Sequence, residues 1–132
     1  MKNKRYIAII FCLSFIMILT ACGGNVRNVK IINVKSNIYT DEDIKSAENV
    51  VLHYFKKEFK GCKLIKLQYI GDDENKGFLK YSPREVIILI SEFKTDSKGV
   101  DGSFNPNDIY TGWQWNLARN NNGKWKLVDY GY

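Results

Sequence analysis

The sequence is poor in histidine and cysteine and has one long apolar run, and each scarcity removes a class of protein. His53 is the only histidine, and it falls beside Lys56 and Lys57 on the polar side of a helical pattern. Metal centres and nucleophilic triads need convergent partners, and none accompanies it there. The long apolar run, residues 6–19, has fourteen residues. Crossing a ~30 Å hydrocarbon core takes roughly 20, so a membrane-spanning helix is excluded. The acidic stretch Asp72-Asp73-Glu74 lacks the ligand spacing of a calcium loop and reads as a solvated turn. No internal repeat or low-complexity block interrupts the 132 residues.

What the apolar run carries is a context. Lys2, Lys4 and Arg5 precede it and Leu19-Thr20-Ala21-Cys22 closes it, the layout of an export signal without an A-x-A-like cleavage site. These four residues resemble the lipobox of bacterial lipoproteins, in which the cysteine takes a diacylglycerol by thioether linkage and becomes the first mature residue. The resemblance implies lipid attachment at Cys22, a place on the outer face of the cell membrane, and the membrane itself as a partner. It divides the chain into a signal peptide (1–21), a tether (22–38) and one domain (39–132). Two acyl chains hold a protein durably where one is marginal.

Charge and cysteine usage follow from that division. The chain has 20 basic and 14 acidic side chains; residues 1–21 hold three of the basic ones and none of the acidic ones, which leaves +3. So small an excess, outside the cytoplasm, argues against nucleic acid as a partner. Cys12 departs with the signal and Cys22 is acylated, so Cys62 is left alone in a setting where disulfides form. A small buried apolar thiol is its expected role. The remaining 111 residues suit one small domain with a modest core.

Along the mature chain, residues 23–37 read as a tether that finishes as an edge strand. If flexible, the steps from Cys22 to Ile38 span about 22 Å root-mean-square and at most ~55 Å. Thr40 is an expected N-cap, with Asp43 in the capping-box position and Asp41, Glu42 and Asp43 at the positive end of a helix. Ile44, Ala47, Val51, Leu52, Tyr54, Phe55 and Phe59 form its apolar stripe, Gly61 its stop, and Lys45, Asn49, His53, Lys56 and Lys60 its wet face. Residues 62–70 alternate as a strand, 71–77 read as a polar turn, and 78–81 as a short strand. Residues 85–95 contain Val86-Ile87-Ile88-Leu89-Ile90, a continuous run expected at the sheet centre. Residues 110–119 and 124–132 flank Asn122-Gly123 as a closing hairpin. Its register stays open, since a one-residue slip exchanges the faces.

One helix and about four to five antiparallel strands make an α+β domain, the helix lying on one face of a curved sheet. The lipobox, the long helix and the hairpin motif running from Trp113-Gln114-Trp115-Asn116-Leu117 to Asn122-Gly123-Lys124-Trp125 and Asp129-Tyr130-Gly131 resemble small lipoproteins of Gram-positive bacteria. These are assigned to the cystatin-like, nuclear-transport-factor-2-like superfamily, and the likeness covers residues 39–132. It implies a cone between helix and sheet that serves as a ligand pocket, a dimerisation surface or, occasionally, a catalytic site.

No cofactor or metal is implied. The leading expectation is a non-enzymatic binding or protein-interaction domain, with Trp113, Trp115, Trp125, Tyr110 and Tyr130 as the ligand or partner surface, or as core filling. One alternative is a small isomerase or hydratase in which Asp129, its pKa raised by burial, works with Tyr69, Tyr110 or Tyr130. In the blander reading Asp129 accepts hydrogen bonds from the hairpin end or from Asn116. Another alternative is a structural or homodimerising module. Glu58 falls near the apolar stripe and is expected at its rim. Lys56, Lys57, Lys60, Lys63 and Lys66 suit either an anionic lipid or wall polymer or a merely solvated face.

Overall fold

The computed structural model describes residues 23–80, 84–97 and 103–132. Cys22, the expected lipid-attachment residue, and the signal segment before it lie outside the described residues. The chain forms β1 (Lys30–Ile32), α1 (Asp41–Glu58), β2 (Cys62–Tyr69), α2 (Asp72–Leu79), β3 (Glu85–Thr95), β4 (Ile109–Arg119) and β5 (Lys126–Gly131). The fold is α+β, with one open five-stranded sheet in the order β1-β2-β3-β4-β5.

The sheet is mixed rather than wholly antiparallel. β1 runs parallel to β2, because α1 carries the chain back over the sheet between them, and only such a crossover returns a strand in the same direction. The pairs β2–β3, β3–β4 and β4–β5 are antiparallel as expected. The long helix is therefore the second element of the domain, not its first.

α1 starts where its chemistry asks. The Asp43 backbone N–H donates to Thr40 Oγ1, and the Thr40 N–H donates to the Asp43 carboxylate, a reciprocal capping box. Ile44, Ala47, Val51 and Phe55 are buried along its stripe, and Phe59 at the C-cap joins them. His53, Lys45, Asn49, Lys56 and Lys60 are exposed, and so is Glu58. Glu48 is the exception: a carboxylate on the stripe itself, four residues after Ile44, it is only 8% exposed.

Three bulges set which side chains face α1. Leu64 and Leu67 are three apart on β2 and would alternate to opposite faces, but a register shift between Leu64 and Lys66 lets both lie fully buried. Tyr110 and Trp113 on β4 are likewise three apart. A shift opposite Ser91 and Phe93, where Gly112 adopts φ +68°, turns both toward Phe93. On β5, Leu127 pairs with Leu117 and Asp129 with Asn116, so Val128 is the extra residue and Tyr130 comes round to the α1 side opposite Trp115. This settles the hairpin register and separates Tyr130 from the Lys126 and Val128 set. The turn is centred one residue early: Asn121 and Asn122 carry the positive φ values (41° and 59°), with Gly123 N–H donating to Asn120 O.

Two segments depart from expectation. Residues 71–77, expected as a turn, lie mostly in α2, which also takes in Phe78 and Leu79 where a strand was expected. Asp72, Asp73 and Glu74 occupy its first turn, where the helix dipole favours them. β2 ends at Tyr69, so the β3 edge at Val86–Ile88 would lack a neighbour beyond Ile70. Asn75 of α2 supplies one: its Nδ2 donates to Val86 O at 2.8 Å and its Oδ1 accepts from the Ile88 N–H at 2.8 Å. A carboxamide thus continues the ladder where the strand stops.

The second departure is the tether. Asn25 N–H donates to Cys62 O and Asn25 O accepts from the Leu64 N–H, both at 2.8 Å, pairing Asn25 in parallel with Lys63. Val26, Val29 and Val34 pack on the core, and β1 follows. From Gly23 onward the segment is part of the domain rather than a tether, and the edge strand expected at its end is β1.

Asn75→Ala removes both amide bonds and strands the Ile88 N–H in a buried place, while Val86 O keeps the Tyr39 hydroxyl at 2.7 Å. A buried orphan of this kind costs about 1–3 kcal/mol. The variant should unfold at lower denaturant with an unchanged m-value, checked by urea titration.

Candidate functional site

The space between α1 and the sheet, where a ligand cone was expected, is filled. Phe55, Leu64, Leu67, Tyr69, Phe93, Trp115 and Leu117 are all 0% exposed. Trp115 is held by its Nε1–H, which donates to Ser91 Oγ at 2.8 Å, and by ring contact with Phe59 at 5.1 Å. Phe59 in turn meets Tyr130 (5.7 Å), Phe104 (5.9 Å) and Trp113 (6.4 Å). Tilted and edge-on aromatic packing of this kind contributes about 0.5–1.5 kcal/mol per pair beyond burial.

Of the expected aromatic surface, Trp115 and Trp125 are core residues. Trp125 is 6% exposed and lies edge-on to Tyr39 at 5.7 Å, with the Arg119 guanidinium 4.4 Å over its ring. Tyr110 is half-buried, stacked on Phe93 at 5.1 Å, and its hydroxyl accepts from the Asn105 N–H. Trp113 and Tyr130 reach the rim. Trp113 is half-buried with its Nε1 lacking a partner, and Tyr132, 79% exposed, stands against it at 5.2 Å. Tyr130 is 41% exposed, its ring 5.6 Å from Tyr54. The Tyr54 hydroxyl donates to the Tyr130 oxygen, which, with partial desolvation, pushes the Tyr54 pKa up to about 12. Ile109, 58% exposed, opens β4 beside them. Tyr54, Trp113 and Tyr130 form one aromatic rim around Phe59, with Tyr132 outside Trp113.

The acid–base pair of the enzyme reading is not brought together. Tyr69 is buried on β2 facing α1, its hydroxyl donating to Asp72 Oδ1 at 3.0 Å; burial first, and then that bond, raise its pKa. Asp129 is exposed on β5, opposite Asn116 on the other side of the sheet. The Asn116 Oδ1 is buried without a partner. Cys62 is buried, and desolvation, assisted by the Asp96 charge, pushes its thiol up to about 11, as an inert core thiol requires.

Sequence reasoning missed one polar triad and three surface recesses. Arg119, its side chain 9% exposed, donates from Nη1 to Asp43 at 2.7 Å and from Nε to Glu85 at 2.8 Å. The hydrogen bond to Glu85 leads in raising the Arg119 pKa; Asp43, despite some desolvation, is held below its usual range by Arg119 and Thr40. The triad ties the end of β4 to the start of α1, and beside it Arg84 and the Asn120–Asn122 turn line a polar recess of about 420 Å³. On the outer face, Phe78, Val86, Ile88, Ala118 and Val128 line a shallow apolar groove of about 180 Å³. Between β1 and α1, Ile31, Ile44, Glu48 and Leu52 line a groove of about 380 Å³. Only Glu48 left a readable trace in the sequence, as a carboxylate one position after Ala47 on the stripe. Among the described residues no group of three or more potential metal ligands forms.

With this geometry in place, comparison with known proteins adds no relative: no protein-family model, curated protein or solved structure matches the chain.

Burial raises the Glu48 pKa, with Lys45 offsetting part of the effect. A carboxyl that binds its proton more tightly folded than unfolded lowers stability as pH rises through the interval between the two values. Glu48→Gln should therefore stabilise the protein at pH 7, by about 1 kcal/mol, and the gain should vanish below about pH 4, where both states are protonated. Thermal melts of the two proteins across that range check the sign.

Proposed function

We propose that the protein is a lipid-anchored extracytoplasmic domain that works by non-enzymatic contact, through the aromatic rim of Trp113, Tyr130 and Tyr132. The observation that carries this reading is the sealed interior. Substrate pockets are concave, with a few polar groups converging in them, and the helix–sheet interface here is instead filled by Trp115, Phe55 and Tyr69 at 0% exposure. The aromatic residues left over are at the surface, where contact with another body is their available use.

Anchoring rests on the Lys2, Lys4, Arg5, residues 6–19 and Leu19-Thr20-Ala21-Cys22 pattern. It agrees with a body in which no helix among the described residues is long and apolar enough to cross a membrane. A cystatin-like, nuclear-transport-factor-2-like classification belongs to the same proposal. The helix lying across a sheet of consecutive strands supports it; the parallel β1–β2 pair departs from the antiparallel sheet that the resemblance implies.

The test is the N-terminus of the protein from its own membranes. The account expects a chain beginning at Cys22 with a diacylglyceryl adduct by mass spectrometry, and a Cys22→Ala variant that never acquires it. A mature protein with an unmodified Cys22 would refute the anchor.

A further inference from the structure

The proposed anchor and the aromatic rim are joined by the way the chain enters the domain. Gly24 N–H donates to Lys56 O at 2.9 Å, at the C-terminal end of α1. A Cβ on Gly23 would collide with Lys56 O, and one on Gly24 would collide with Phe55 O and lie 2.8 Å from the Phe55 ring. Only glycine permits that approach. Residue 22 is one peptide step, ~3.8 Å, before Gly23. A lipid on Cys22 would thus have no slack, and it would be tied to one end of the molecule.

That end has a character of its own. Lys56 and Lys57 close α1, Lys60 follows, Lys63 pairs with Asn25, and Lys94 pairs with both Lys63 and Ile109. Among the described residues Glu58, Asp96 and Asp108 are the carboxylates there, so the described lysines prevail by five to three. The Phe59 backbone carbonyl lies beside Gly24, and the ring of the same residue is the one around which Trp113 and Tyr130 gather, with Tyr132 beyond Trp113. The opposite end is mixed in charge: Asp41, Glu42 and Asp43 start α1 and Asp72, Asp73 and Glu74 start α2, but Lys35 pairs with Asp41, Arg119 with Asp43 and Glu85, and Lys76 lies in the last turn of α2. Asp72 holds the two starts together, accepting from Ser36 Oγ at 2.6 Å and the Asn37 N–H at 2.7 Å.

We propose that the lysine-bearing, aromatic-rimmed end of the domain, where Gly23 and Gly24 enter, docks flat on an anionic lipid surface and holds the end with the α1 and α2 starts away from the membrane. This names the bilayer as the partner of the rim and rests on the anchoring reading above. Lysines beside an anchor are drawn to anionic headgroups, and amphipathic aromatic rings favour the layer between water and hydrocarbon. The short entry makes the lipid and the patch act together, each raising the effective concentration of the other.

The experiment uses the full lipidated protein, its Cys22 adduct verified first by mass spectrometry; a missing adduct defeats the anchoring reading and is seen before any docking is measured. The protein is placed in vesicles of phosphatidylcholine with or without about one-third phosphatidylglycerol, and lysine acetylation rates are read residue by residue. We expect Lys56, Lys57, Lys60, Lys63 and Lys94 to be slowed about five-fold by phosphatidylglycerol, with Lys35, Lys76 and Lys124 unchanged. About 1 M salt, where the Debye length is ~3 Å, should abolish the protection. The triple variant Lys56→Glu, Lys57→Glu, Lys60→Glu should lose protection at Lys63 and Lys94 while keeping its adduct. Equal labelling of both ends, protection at Lys76 instead, or a pattern indifferent to anionic lipid and salt overturns the proposal and leaves the rim to a protein partner.

Discussion

The close approach of the Gly23–Gly24 backbone to the end of α1 is the constraint on which the rest of the structure turns. Helix ends leave carbonyls without partners, and a strand edge leaves a row of open donors and acceptors. Here one extended segment serves both. Gly24 takes the Lys56 carbonyl, Asn25 takes the β2 edge at Cys62 and Leu64, and β1 continues the pairing from Lys30. The segment also lays Val26 and Val29 over the core. A domain of this size has little interior to spare, and residues that would be solvated in a tether add to burial instead.

The filled interior is the second constraint, and it moves function to the outside. Three bulges at odd spacings turn Leu67, Tyr110 and Tyr130 inward alongside Leu64, Trp113 and Leu127. Strict alternation would send half of those large side chains to the other face and leave a gap under α1. With the bulges, Phe59 becomes a hub for rings from three strands and a loop, and the surplus of aromatics emerges as a rim beside the entry of the chain. Arg119 performs the equivalent task at the other end, closing the α1 start against β3 and β4 with two carboxylates and a tryptophan face.

Local chemistry made part of this legible. Thr40 and Asp43 announced the start of α1, its stripe announced the buried face, and the apolar run of β3 announced a central strand; each signal is short-range, and tertiary packing agrees with it. The expectations that failed depend on distant partners. Asp72–Leu79 looks like a polar turn because what makes it a helix with a purpose is the unpaired β3 edge that Asn75 satisfies. Residues 23–37 announced the edge strand β1 but otherwise look like a tether, because nothing in them names the Lys56 carbonyl or the Lys63 backbone. Asp129 and Tyr69 could be paired on paper, since a sequence does not show the face of the sheet on which each one lies. The bulges were invisible for the same reason: only the completed core reveals which parity had to be broken.

The entry of the chain is therefore where the account is most exposed to test, through amide hydrogen exchange at Gly24 and Asn25 in the lipidated protein. The structure predicts that both amides exchange within about ten-fold of their neighbours in β2, since they open only when the α1 end and the sheet edge open with them. Exchange at the rate of an unstructured peptide, with Leu67 and Tyr69 still protected, would mean that the glycines are a free leash after all. The lipid would then impose no orientation on the domain.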